Sequence, residues 1–438
     1  MNRIFLFPQL WAFIATCIFL PALQPAKAQS VAHERAAKIE KGQNLSNWLE
    51  AYWQSNYPNP TGYTRQSIAQ MQEAGMRSLR LPVTFEYFTD TVPPYTIHTN
   101  NATFALIDSA ITWAADFDML LIIDNHHGWE VNTANYLQQV PRMAAMWKQL
   151  AQYFTALDPE RYLFEIWNEP PVLLPESYIR PFYQACLDSV RSIDTLHTLV
   201  VGAHAANLGL ALAATTPYAH DNLIYTFHSY EPYNFTHQGF PWAEPFPFPT
   251  GTPFPLNNND TLLTNIYTAV ANWRNTHNVP VFLGEFGVGI HADDQSRCNW
   301  IAHTAALLNT FNFPWIYWDW QYDFSWFEQL PPSPDNVVQC FAEALHVYGN
   351  TGTTAGHAPA EGILLYPNPV KDWCKVQLPA GFGEFTLCLQ SITGNICLQQ
   401  TFSNHATTGF YTGNLQKGMY FVTINNGRLQ TTLPLLVY

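Results

Sequence analysis

Between residues 40 and 348 the chain alternates short apolar runs with longer amphipathic stretches. The runs are Lys41–Leu45, Ser78–Val83, Met119–Asn125, Tyr162–Trp167, Thr198–Val201, Leu223–Phe227, Val281–Gly284 and Phe313–Tyr317. Helical periodicity falls in the gaps, as at Thr64–Glu73 before Gly75, Asn101–Phe117, Met143–Phe154, Pro181–Ile193 and Thr261–His277. Eight strands alternating with helices predict an α/β fold of the (β/α)8 TIM-barrel type. An open, doubly wound sheet alternates in the same way, so the count alone leaves both in play.

The pattern changes after residue 348. Gly349 to Gly356 is dominated by Gly and Thr and is followed by Pro359, which marks residues 349–361 as a linker. Beyond it, Met419–Ile424 alternates as a strand, Asn425-Asn426-Gly427 offers a hairpin turn, and Leu429–Leu436 reads as the returning strand. Residues 362–438 are therefore expected to form a small all-β domain, a β-sandwich. At the other end, residues 1–28 have the shape of a signal peptide: Arg3, an apolar stretch from Ile4 to Leu23, and the small-x-small site Ala26-Lys27-Ala28. Pro8, Pro21 and that site argue against a membrane anchor. The barrel portion is then 29–348, in a protein expected to be secreted or held at the cell surface.

Composition narrows the ligand. Aromatic residues make up 15% of the chain and charged residues 12%, against about a quarter charged in ordinary domains. Polar work must fall to amides, hydroxyls and ring faces, which suits a neutral, hydroxyl-rich ligand; a large aromatic core has the same composition. The formal charge is −14 with no basic run, so nucleic acid is not expected as a partner. Six cysteines follow residue 28, three in each expected domain, with no C-x-x-C pair. A thiolate metal site is not expected, and the cysteines read as packing residues. A monomer without cofactor or metal is the expectation.

In a barrel, reactive groups project from the C-terminal ends of the strands. Those ends read Asn44…Asn47-Trp48, Arg80-Leu81-Pro82, Asn125-His126-His127, Trp167-Asn168-Glu169-Pro170, His228-Ser229-Tyr230, Glu285-Phe286-Gly287 and Trp318-Asp319-Trp320. Glu169 and Glu285, after the fourth and seventh strands, would face each other across the barrel mouth. Glycoside cleavage needs such a pair, one carboxyl to protonate the leaving oxygen and one carboxylate on the other side of the sugar. Arg80 and Tyr230 could keep Glu285 ionised, while burial raises Glu169. A metal hydrolase built on His126, His127 and His228 is the rival chemistry, and a non-catalytic glycan-binding barrel the rival function.

The strings Phe164-Glu165-Ile166-Trp167-Asn168-Glu169-Pro170 and Leu283-Gly284-Glu285-Phe286-Gly287 resemble glycoside hydrolase family 5, the large cellulase and mannanase family. The resemblance extends to Arg80, His126, His228-Ser229-Tyr230 and Trp318, and spans roughly Gly42 to Val347. It implies Glu169 as acid/base and Glu285 as nucleophile, with Asn168 on the sugar 2-hydroxyl. Arg80 and Tyr230 would support Glu285, His126 and His228 would order the site, and Trp318 would stack on the sugar. Trp242 and Trp48 are added as candidate sugar platforms, with Tyr52, Trp53 and Trp129 near the same groove. Taken alone, Trp318 would be core, and an ordinary buried ion-pair residue is the alternative reading of Arg80. The implied substrate is a β-1,4-glucan polysaccharide or oligosaccharide, with mannan, xyloglucan and β-1,3-glucan open on the same scaffold. Leu365-Tyr366-Pro367-Asn368-Pro369, Asp372, Thr393-Gly394-Asn395 and Leu415–Tyr420 resemble the type IX secretion sorting domain, which implies the secretion machinery as a partner.

Overall fold

Eight parallel strands close into a barrel in sequence order. They are β1 (Lys41–Asn44), β2 (Ser78–Val83), β3 (Leu120–Asn125), β4 (Tyr162–Glu165), β5 (Leu199–Val201), β6 (Leu223–His228), β7 (Val281–Glu285) and β8 (Trp315–Tyr317). The computed structural model describes residues 30–59, 62–243, 247–255, 261–329 and 331–348 of this part of the chain. In the C-terminal part it describes 363–366, 370–378, 382–391, 396–402, 407–426 and 430–437. The expected signal peptide, the linker, Pro367–Pro369 and Thr393–Asn395 lie outside the described residues.

Side chains alternate across a strand, so each barrel strand sends every second residue inward. Low in the barrel that inner face is apolar. Leu120, Ile122, Leu163, Val200, Ile224, Phe282 and Ile316 form one buried cluster, closed from below by Ala32, Ala36 and Ile39 in and after the helix Val31–Ala37. Two residues further along the same faces the inward positions turn polar: Asp124 after Ile122, Glu165 after Leu163, Thr226 after Ile224. The outward positions, among them Leu79, Leu121, Phe164, Val201, Phe227 and Leu283, pack under the helices in the main core. The pattern yields a dry floor and a polar top, which is where a site can be built.

Two helices start earlier than their periodicity suggested. Tyr136–Phe154 and Glu176–Arg191 each run through a proline, Pro141 and Pro181. Near a helix start a proline removes one backbone bond, and it does not fix where the helix begins. The packing role expected for cysteine is corrected at one pair: Cys298, in the helix Asp294–Phe311, is bonded to Cys340, in the helix Gln339–Leu345. Cys186 is a buried thiol.

The C-terminal part forms two antiparallel sheets. One holds β9 (Leu364–Tyr366), β10 (Trp373–Gln377) and β13 (Thr407–Tyr411); the other holds β11 (Phe385–Ser391), β12 (Ile396–Phe402), β14 (Gly418–Asn425) and β15 (Gln430–Val437). Val376, Leu387, Leu389, Phe410, Val422, Ile424 and Leu435 are buried in a core of their own. Trp373 and Tyr411 stand exposed as register partners on β10 and β13, with ring centroids 5.4 Å apart.

The disulfide closes a loop over a sequence separation of 42, for which chain entropy allows roughly 2–4 kcal/mol. Cys340→Ser should lower the melting temperature while leaving kcat unchanged, because the bond joins two helices and no residue of a strand end. Loss of activity at a temperature where the variant is folded would contradict this.

Candidate active site

The polar top of the barrel is organised around one guanidinium. Arg80, on β2, is fully buried. Its Nε and Nη2 donate to the two carboxylate oxygens of Glu165 at 2.7 and 2.9 Å. Nη1 donates to Glu285 Oε1 at 2.7 Å and to Asn44 Oδ1 at 3.0 Å. Nη2 also reaches Asn168 Oδ1 at 2.7 Å and Asp124 Oδ2 at 3.0 Å. Burial opposes the charge on Arg80, but Asp124, Glu165 and Glu285 outweigh it and hold the group firmly protonated. Burial pushes Asp124 up to about 7 and raises Glu165, with Arg80 pulling each back down. One cation among three buried carboxyls leaves the cluster short of positive charge, so it keeps its protons to higher pH than free carboxyls do.

Glu285 ends β7 with only 5% of its side chain exposed. It accepts from Arg80 and, through Oε2, from the Tyr230 hydroxyl at 3.0 Å. Gly284 before it must lack a side chain, since a Cβ there would stand 2.3 Å from Thr226 Oγ1. Glu169 lies beyond β4 and keeps 37% of its side chain in solvent. Its one side-chain hydrogen bond among the described residues is to His228 Nδ1 at 2.7 Å, and the same nitrogen is 3.7 Å from Glu285 Oε2. One carboxylate oxygen from each glutamate and a nitrogen of His228 all lie within 4.8 Å of one another.

Burial pushes Glu169 up to about 7, with Arg80 opposing. Because over a third of it meets water in the open cleft, the full rise requires a ligand to cover it. Burial also pushes Glu285 up to about 7, while His228 and Arg80 pull it down and Glu169 and Asp124 push it further up. The two titrate as a pair, and the donors are unevenly shared. Among the described residues Glu285 has two beyond His228 and Glu169 has none, so the shared proton rests more favourably on Glu169. Burial lowers His228, which is therefore neutral near pH 7. Its Nε2 has no hydrogen-bond partner among the described residues. A buried lone pair is the less costly atom to leave unpaired, which places the ring proton on Nδ1, donating to Glu169.

The other expected site residues divide. Trp318 is half-buried and stacks on His126, centroids 5.4 Å apart and planes 5° from parallel. His126 Nδ1 is 2.5 Å from Asp124 Oδ2, and its Nε2 is 3.3 Å from Asn168 Nδ2. With both ring nitrogens engaged, His126 does not join His127 and His228 in a three-histidine metal set; among the described residues, those close enough to share a cation are Glu169, His228 and Glu285. Trp242 is half-exposed, with Nε1 donating to Asp323 Oδ2 at 2.9 Å. Trp48 is corrected. It is buried, lies flat against Trp113, and donates Nε1 to the Asn59 carbonyl at 2.8 Å, so it packs the β1 loop and cannot present a face to sugar. Trp129 is likewise buried, whereas Tyr52 and Trp53 remain exposed.

Two residues of the site escaped the sequence reading. Asp124 could have been found, since it precedes His126 by two and so shares its face. Asn207, which donates to the carbonyl of Asn168, had no comparable signal.

Residues 34–324, well over half of the chain, match the family described as cellulase, glycosyl hydrolase family 5. Residues 364–437 match the secretion system C-terminal sorting domain. Endoglucanase 3 of Fibrobacter succinogenes is 28% identical over 67% of this chain, and endoglucanase H of Acetivibrio thermocellus 27% over 65%. The chain spans 51% and 30% of those relatives' own lengths. Among solved structures, endoglucanase Cel5A from the hyperthermophilic Thermotoga maritima is 26% identical, with a TM-score of 0.64, covering 72% of this chain and 99% of that one.

Replacing Arg80 by Met should destabilise the barrel by roughly 3–5 kcal/mol, as for other broken buried ion pairs. A carboxyl whose folded pKa lies above its unfolded one binds protons more tightly when folded, so its contribution falls as pH rises from about 4 to about 7. Without Arg80 that fall steepens, and the gap in melting temperature from the parent should be wider at pH 8 than at pH 5. An equal gap at both would show that the carboxyls do not depend on Arg80.

Proposed function

The chain belongs to the cellulase family, glycosyl hydrolase family 5, and from that premise we propose that it hydrolyses β-1,4-linked glucan with retention of configuration. The observation that carries the reading is the closeness of the two carboxyls at the barrel mouth, within 4.8 Å. That matches the separation of about 5–5.5 Å at which the second carboxylate attacks the sugar directly, and leaves no room for the water that inversion requires. Glu285, fixed by Arg80 and Tyr230, attacks the anomeric carbon. Glu169 passes its proton to the departing glycosidic oxygen, and the bond from the anomeric carbon to that oxygen breaks. His228, donating to one oxygen of Glu169, leaves the other to carry the proton. Water, deprotonated in turn by Glu169, then releases the sugar from Glu285 and restores both groups.

The ring track beside the pair favours a polymer over a small glycoside. From Trp318 and His126 the rings continue through His127, at 4.4 Å from His126, to Trp53 at 5.3 Å, Tyr52 at 5.4 Å and Tyr87 at 5.8 Å. Trp53 is 57% exposed, and Tyr52 and Tyr87 are exposed beside it. The rings meet mostly edge to face, and the exposed ones, leading away from the reacting centre, suit separate contacts with successive sugars of one chain. The C-terminal domain is the part that would address the enzyme to the cell surface or beyond. No helix among the described residues is long and apolar enough to cross a membrane.

Glu285→Gln should abolish turnover and leave the fold intact. The parent's first product, followed by NMR, should carry the β-configuration, and activity should fall as pH rises through about 7 with the loss of the Glu169 proton. An α-product, or an active Glu285→Gln variant, would overturn the mechanism; activity confined to mannan would overturn the substrate. Trp53→Ala should raise KM on soluble β-glucan roughly tenfold with little change on a short aryl cellobioside. An equal effect on both would place Trp53 outside the path of the polymer.

A further inference from the structure

The loop after β5 holds the most unusual backbone near the site. Ala205, Ala206 and Asn207 all adopt left-handed conformations, with φ of 54°, 53° and 56°. Single residues visit that region, Asn most easily; three in succession, two of them alanines, must be held there by their surroundings. What holds them is the acid/base end of the barrel. The Ala206 amide donates to the Pro170 carbonyl at 2.8 Å. Asn207 is fully buried, and its Nδ2 donates to the Asn168 carbonyl. Its Oδ1 accepts from the Ala203 amide at 2.8 Å. Its own carbonyl accepts the His228 amide at 2.9 Å. Gly202 makes the room, since a Cβ there would stand 2.0 Å from Asn207 Oδ1.

The residues on both sides of Glu169 and the backbone of His228 are thus tied to one short segment, and Asn207 bonds to both. We propose that Asn207 is a positioning residue that sets the distance between Glu169 and His228, and thereby holds the acid in reach of the glycosidic oxygen. It touches neither substrate nor reacting atoms in this role. The strained turn explains itself on these terms: a left-handed Asn directs its side chain at β4 while its carbonyl faces β6, which an extended loop residue does not do. The inference rests on the assignment of Glu169 as the acid.

The test uses leaving groups. Phenyl β-cellobioside needs a proton on its departing oxygen and 2,4-dinitrophenyl β-cellobioside does not, and kcat/KM for each reports only steps up to formation of the glycosyl-enzyme. Asn207→Gly keeps the left-handed backbone and removes the side chain. Asn207→Asp keeps the shape but turns the donor toward Asn168 into an acceptor. In either variant kcat/KM should fall about 100-fold on the phenyl substrate, the usual scale for a misplaced catalytic group. It should fall by no more than roughly threefold on the dinitrophenyl one, where acid assistance is not needed. Parallel losses on both substrates, no loss on either, or failure of both variants to fold would make the segment a structural brace and overturn the proposal. Glu169→Ala is the reference. If it lacks the same leaving-group dependence, the acid assignment has failed; if it shows the dependence and the Asn207 variants do not, the positioning role has failed.

Discussion

Everything at the barrel mouth is arranged around the Arg80 guanidinium. Five donors in a rigid plane meet Glu165 in a bidentate pair and reach Asn44, Asp124, Asn168 and Glu285 as well. Lysine could not replace it, since a point charge on a flexible stem cannot address that many fixed acceptors at once. A charge so far from water is tolerable only when compensated, and Arg80 is compensated in excess. That excess makes the site sensitive to protons: each added carboxyl raises the pKa of its neighbours.

The barrel supplies the geometry for that concentration. Inward positions low on the strands are apolar and fill the floor, so the polar residues one step up cannot sink and must interact with one another. Strand order does the rest. β2, β4 and β7 are not neighbours in the barrel, yet Arg80, Glu165 and Glu285 meet because their side chains all point at the same axis. A small displacement of any strand would be felt by all of them, which is why rigid elements serve better than loops for such a cluster.

Much of this was legible in the sequence because barrel strands are short, apolar and punctuated. Five of the strand ends carry a candidate site residue immediately after the apolar run, Asn44 and Arg80 lie within theirs, and alternation says which neighbour faces inward. What could not be read were contacts made by loops. Trp48 follows a strand end as Trp318 does, but a local pattern does not reveal that Trp113 lies flat against one indole while His126 lies flat against the other. The Cys298–Cys340 bond joins two helices whose adjacency is a property of the closed barrel and not of the spacing between them. Asn207 sits in a stretch of Ala and Asn that advertises nothing, since its meaning comes from a backbone conformation imposed by Pro170, Asn168 and His228.

The two glutamates start as the same side chain, and the fold alone makes them different. Glu285 belongs to its strand, is held at both carboxylate oxygens and keeps 5% of its surface exposed. Glu169 stands beyond the end of β4, is held at one oxygen, and keeps 37% exposed. A nucleophile gains from being fixed, because reach and angle decide whether it attacks. An acid that must later act as a base gains from access, because it exchanges its proton with an incoming water. The unequal number of hydrogen bonds favours the division of roles proposed for them before any sugar arrives, with His228 bonded to one and beside the other.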